Sequence, residues 1–169
     1  MMPAHADRGT VIGIDWGERF IGIAIGERET RTAHPLTHIK AVARAERFAA
    51  IERIVNEWKP VLAVIGLPVH DDGRAHALAP RTVRFARALE GRMRLPFVLV
   101  NEYLSSAEAS AALARSGHGG RAAKDDVHAA AATVILQNYL DDPTAVIDPR
   151  MFDPTVDARR LDPTLETPP

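Results

Sequence analysis

Asp15, Glu102, Asp125 and His128 could together do chemistry: three carboxylates and one imidazole, in a chain with no cysteine. Asp15 interrupts an apolar ribbon, VIGIDWGERFIGIA at 11–24, whose second apolar run is Ile21 to Ile25. Val, Ile and Gly on either side of Gly-Glu-Arg predict two strands of a hairpin. A carboxylate inside such a strand is costly to bury unless a cation compensates it, and a divalent metal does so where further acids stand nearby. The plainer alternative has Asp15 bonding backbone amides at the turn, and the segment by itself leaves both readings open.

Glu102 falls just past an apolar run, in VNEYLSSAEA, and Asp125, Asp126 and His128 open an alanine-rich segment. Positions 125 and 128, three apart, share a helical face. Each residue has a plainer role available: Asp125 or Asp126 as a helix N-cap, Glu102 as a solvated loop acid, His128 as a core histidine bonded to a carbonyl. Their coincidence at strand and helix ends favours a common site, since groups gather at the carboxyl ends of parallel strands. Oxygen and imidazole donors without thiolate suit Mg2+ or Mn2+, with the histidine tilting preference toward manganese. Two such ions bridged by a carboxylate activate water and stabilise the leaving oxygen of a phosphodiester.

Basic residues offer phosphate contacts. Arg81, Arg84 and Arg87 share one helical face, and His118, Arg121 and Lys124 fall in the glycine-rich stretch SGHGGRAAK. Such stripes are ordinarily solvated helix faces, whereas beside a phosphodiester-cleaving site they would position a nucleic-acid backbone. With a net charge of only -1, bulk charge announces no such partner, and a local patch would have to meet it.

The elements that must position these residues follow in order. After the hairpin, Thr32 to Ile39 predicts a third, shorter strand broken by Pro35. Ala41 to Trp58 carries apolar residues at helical spacing, with Pro60 beyond its end. Val61 to Ile65 is a continuous apolar run of the buried parallel kind, closed by Gly66-Leu67-Pro68. A helix with Pro80 near its first turn runs to about Glu90, and Phe97 to Val100 is another buried strand. Ser105-Ser106-Ala107-Glu108 spells a capping box for a helix to about Ser116. A loop from Gly117 to Lys124 then precedes a final helix, Asp125 to Leu140. Three hairpin-linked strands followed by strands reached through helical crossovers predict an α/β fold, a mixed sheet flanked by helices.

The 169 residues suit one domain over 1–140, followed by a tail at 141–169 holding half of the twelve prolines. That tail reads as irregular, with Met151 and Phe152 as its packing residues. No run reaches the about 20 apolar residues of a membrane span. The N-terminus lacks a secretory core, and the absence of cysteine is compatible with the cytoplasm. No self-complementary interface is legible, so a monomer or weak homodimer is expected.

Four blocks in order carry a family resemblance: GIDWGERFIGIAIGE at 13–27, VIGLPVHDDG at 64–73, NEYLSSAEA at 101–109 and DVHAAAATVILQNYL at 126–140. The chain resembles the YqgF-type (RuvX-like) nucleases, relatives of Holliday junction resolvases within the RNase H-like superfamily. The resemblance implies an RNase H-like five-stranded sheet, with β1-β2-β3 antiparallel and β4 and β5 parallel. It implies metal-dependent cleavage of nucleic-acid phosphodiesters, chiefly in maturation of the small-subunit (16S) rRNA precursor. Asp15 and Glu102 fall on the family's acids. Three positions depart from its pattern: Phe20 stands where an arginine is usual, Asn101-Glu102-Tyr103-Leu104 replaces Asp-Glu-Arg-Leu, and His128 replaces an aspartate.

The leading expectation is thus a nuclease acting on RNA, with ribosomal precursor particles as partners. Asp15, Glu102, Asp125 and His128 would hold Mn2+ or Mg2+, and Arg81, Arg84, Arg87, Arg121 and Lys124 would contact phosphates. The alternatives are a nuclease for Holliday junctions or other branched or single-stranded DNA in repair, and a non-catalytic RNA-binding ribosome-assembly factor. An ATP-binding enzyme of the actin and sugar-kinase type shares an Asp-x-Gly hairpin but needs two lobes, and this chain has length for one.

Overall fold

Alternation along β1 (Thr10–Trp16) decides which layer each of its side chains joins. The structure, a computed structural model, describes residues 8–40, 43–68, 77–102 and 121–149, with the side chains of 121–126 outside that description. β1 pairs antiparallel with β2 (Phe20–Glu27), which pairs antiparallel with β3 (Thr32–Lys40). Helix α1 (Arg44–Trp58) crosses to β4 (Leu62–Leu67), parallel to β1. Helix α2 (Ala79–Met93) crosses to β5 (Phe97–Asn101), parallel to β4. The sheet order is β3-β2-β1-β4-β5, and α3 (Arg121–Asp141) follows. The expected mixed sheet, antiparallel on one side and parallel on the other, is what the chain forms.

Two apolar layers sandwich the sheet. On one face Ile12, Ile14, Ile23, Ile65 and Leu99 pack with Phe48 and Ile51 of α1 and Val83, Phe85 and Leu89 of α2. On the other, Val11, Ala24, Leu62, Val64 and Val100 pack with Ala132, Ile135, Leu136 and Tyr139 of α3. Each fully buried Ile or Leu contributes roughly 1.5–3 kcal/mol relative to exposure. Polar ties register α3 against the β2–β3 hairpin. The Gln137 amide accepts from the N–H of Ala33 at 3.1 Å and donates to the carbonyl of Arg31 at 2.9 Å. Both crossover helices end in a left-handed residue, Lys59 (φ 48°) and Arg94 (φ 52°), each of whose N–H groups closes the last turn.

Three boundaries differ from expectation. β3 is not broken at Pro35: the register skips between Ile23 and Ala24, so the strand bulges there and continues. Pro35 is tolerated because β3 is an edge strand and needs no donor on its open side. α2 runs on to Met93. α3 begins by Arg121 rather than Asp125, since Arg121, Ala122, Ala123 and Lys124 all favour helix. Asp125 and Asp126 therefore lie inside the helix, and neither is its N-cap. The start of the tail packs through Ile147, whose N–H donates to the Leu99 carbonyl at 2.8 Å along the open edge of β5. The expected helix at 105–116, Met151 and Phe152 lie outside the described residues. No described helix is long and apolar enough to cross a membrane.

Candidate functional site

β1 and β4 run parallel, with Ile14 opposite Ile65, and β5 lies beyond β4 with Val100 opposite Gly66. Asp15 is next on β1, on the α3 face shared by Val11. Glu102, one residue past β5, has its backbone N–H held by the Leu67 carbonyl at 3.2 Å. Two carboxylates 87 positions apart thus converge across β4 at the carboxyl end of three strands.

They meet because Gly66 has no side chain. A β-carbon there would lie 3.1 Å from both Cβ and Oε2 of Glu102 and would overlap Cδ1 of Ile135. Gly66→Ala is therefore expected to destabilise the fold by about 1–3 kcal/mol through overpacking and to displace Glu102. Chemical denaturation and the activity assay below measure both effects, and a variant equal to wild type in both would show that the site does not need this gap.

The pair is electrostatically uncomfortable. Burial pushes the Asp15 carboxyl up to about 6, opposed by a hydrogen bond from Glu102. Glu102 is pushed up to about 8 by burial first, then by the charge of Asp15 and by donating its own proton to it. Oε2 of Glu102 is buried with no hydrogen-bond partner among the described residues. Two acids sharing one proton, with an orphaned oxygen, make a site that a cation would complete.

Helix α3 comes in over this end of the sheet. The register partner of Asp15 on β2 is Gly22, and a β-carbon at Gly22 would overlap the carbonyl oxygen of His128. Only glycine lets the helix backbone approach so closely. The His128 ring, however, stacks on Phe20 at 4.5 Å and 13°, with His38 at 6.3 Å. No group of three or more His, Asp or Glu able to hold a metal occurs among the described residues. The structure therefore brings Asp15 and Glu102 together without gathering the His128 ring to them. Phe20 and His128, two departures from the family pattern, are instead partners of each other. Asp125 stands one turn before His128 on the same helix, and its side chain lies outside the described residues.

The arginine stripe is where expected, with Arg81, Arg84 and Arg87 all exposed on α2. Arg81 pairs with Glu18 in the β1–β2 turn. Arg81 and Arg84 also line a cavity of about 540 Å³ with Trp16, Glu18, Arg44, Arg47, Phe48 and Phe85. The sequence reading missed Arg44 and Arg47; their three-residue spacing, like that of Arg81 and Arg84, was the available signal. Arg121 and Lys124 are in the first turn of α3, with side chains outside the description.

The chain is similar to known proteins over most of its length. The family described as RuvX, Holliday junction resolvase, matches residues 9–142. A protein of Methylobacillus flagellatus named "Putative pre-16S rRNA nuclease" is 50% identical over 139 residues, 82% of this chain and 95% of that one. A protein of Dechloromonas aromatica with the same name is 42% identical over 139 residues, again 82% and 95% of the two chains. Among solved structures, Thermus thermophilus RuvC in complex with a Holliday junction substrate aligns with a TM-score of 0.54 at 15% identity, over 82% of this chain and 98% of that one. The Fowlpox virus resolvase, in complex with Holliday junction DNA, aligns with a TM-score of 0.52 at 10% identity, over 80% and 99%. At those identities the likeness speaks for the fold, which is RNase H-like. The match across residues 9–142, together with relatives up to half identical over nearly their whole length, places this chain in the RuvX family.

Proposed function

We propose that this RuvX-family protein is a divalent-metal-dependent nuclease that hydrolyses phosphodiester bonds in RNA, its substrate being the 16S rRNA precursor. The convergence of Asp15 and Glu102 carries the reading, because two buried acids sharing a proton are the arrangement a dication would relieve. The names of the relatives supply the RNA substrate.

Hard oxygen donors fit Mg2+ or Mn2+, and Oε2 of Glu102 offers a lone pair that no described residue uses. Such an ion, when bound, would supply Lewis-acid stabilisation of charge on the phosphoryl group and would make a nearby water more acidic. Asp15 and Glu102 would hold it, and losing their shared proton would ready them to do so. Asp125 is assigned as the donor from α3. His128 is assigned to positioning: its ring packs on Phe20 while its carbonyl sets α3 against Gly22. Arg84 and Arg87 of α2, with Arg121 and Lys124, neutralise strand phosphates, which makes binding salt-sensitive.

A second reading, resolution of branched DNA, is favoured by the description of the family itself. Junction resolution wants two sites facing one junction, so it would also require a dimer.

One assay separates these readings: purified protein with structured RNA, single-stranded DNA and a four-way junction, in Mg2+ and in Mn2+. RNA cleavage in either metal, with the junction cut more slowly, is expected. His128→Gln should keep activity within about tenfold and leave the Mg2+/Mn2+ ratio unchanged, as a positioning role requires. A changed ratio would make the imidazole a metal ligand. Cleavage of neither nucleic acid in either metal would leave a non-catalytic RNA-binding factor.

A further inference from the structure

On the face of the sheet away from the acid pair, four guanidiniums converge on a cavity that contains one carboxylate. Its floor is aromatic, formed by Trp16, Phe48 and Phe85, with Phe85 5.6 Å from Phe48 and 6.1 Å from Trp16. Its rim is Arg44, Arg47, Arg81 and Arg84; Glu18 forms an ion pair with Arg81, and its charge also acts on Arg47. Arg47 lies over Trp16 at 5.4 Å and donates to the Gly17 carbonyl, yet its Nε is buried without a hydrogen-bond partner among the described residues. Arg44 lies over the Phe48 ring at 5.4 Å, and Arg84 has no ion-pair or hydrogen-bond partner among the described residues.

Like charges gathered this way repel unless an anion joins them, and arginine forks suit phosphate oxygens. The volume of about 540 Å³ exceeds what a bare phosphate needs and falls in the range of small-molecule sites. An apolar floor beneath a cationic rim matches a ligand with a flat ring at one end and a phosphate at the other.

We propose that this cavity binds one nucleotide, its phosphate on the guanidiniums of Arg44, Arg47 and Arg84 and its base against the Trp16–Phe85 floor. Trp16 follows Asp15 directly on β1 and points to the opposite face, so the pocket and the acid pair share one end of the sheet. The nucleotide comes either free or as a residue of a nucleic-acid strand wrapped around that end. The proposal stands apart from the nuclease reading, because its readout is binding.

The test uses full-length protein with Trp58→Phe, which leaves Trp16 as the only tryptophan. Adenosine monophosphate, adenosine, inorganic phosphate and a short oligoadenylate are titrated while Trp16 fluorescence is followed. Adenosine monophosphate should change the emission saturably, and adenosine and phosphate should each bind about tenfold or more weakly. Arg44→Glu with Arg84→Glu should weaken that binding about tenfold or more, and Asp15→Asn should leave it unchanged. Displacement of the oligoadenylate by the mononucleotide identifies a strand residue as the ligand; independent binding of the two identifies a free nucleotide. The absence of any saturable response, or a response that survives the double charge reversal, overturns the proposal. Circular dichroism of the double variant confirms that it has folded, and the single variants report if it has not.

Discussion

Asp15→Asn is expected to lower the proposed RNA cleavage by about a thousandfold or more, the several kcal/mol that a metal contributes to phosphoryl transfer, while the protein should fold as well as wild type. The amide occupies the space of the carboxylate, so the packing of β1 against α3 is untouched. It leaves the burial that chiefly pushes Glu102 up but removes the Asp15 charge that adds to it, and with that charge the site's ability to hold a dication. Glu102→Gln should behave alike, whereas Arg87→Ala on the exposed face of α2 should weaken binding and its salt dependence without touching the chemical step. Single-turnover rates separate these outcomes. An Asp15→Asn protein that cleaves at the wild-type rate would place the chemistry elsewhere.

The second large effect is on stability. Both carboxyls of the pair lie above their ordinary values of 3.8 and 4.5, at about 6 and about 8. Between those limits the folded chain holds protons that the unfolded chain has released, so the pair's contribution to stability is fully present below about pH 4. It is lost as pH rises through 6 and then 8. Metal-free protein is thus expected to lose on the order of 2–4 kcal/mol from this pair between pH 5 and 8.5. Mg2+ or Mn2+ should restore most of that at pH 8 and little at pH 5, where protons compete for the same oxygens. Glu102→Gln should flatten both the pH slope and the metal response. Denaturant midpoints measured across pH for the two proteins isolate the pair from every other titrating group, and identical slopes would contradict the assignment.

The strand pattern could be read from the chain because period-two alternation and uninterrupted apolar runs leave few other folds for Val11–Ile25 and Leu62–Leu67. Pro35 misled because a ladder donor is dispensable only at an edge, and strand order is not written locally. The beginning of α3 was misplaced because the glycines at 117–120 weigh against helix while the residues from Arg121 favour it. Asp15 and Glu102 were recognisable by type, but nothing local says that Gly66 is the gap through which they meet. His128 was counted as a donor from its residue type and spacing; its packing on Phe20 is a contact between residues 108 positions apart that only the assembled sheet and helix reveal. The arginine cavity was half visible, since α2 carried its stripe openly while α1 hid Arg44 and Arg47 among ordinary helix charges.

Side-chain carboxyl resonances of Asp15 and Glu102, followed by carbon-13 NMR across pH without metal and with Mg2+, test most directly whether these acids form one cation site. Without metal, both should titrate above the ordinary carboxylate range in two linked steps; with Mg2+, both should shift to well below it. Two independent titrations near pH 4, indifferent to Mg2+, would contradict the shared site.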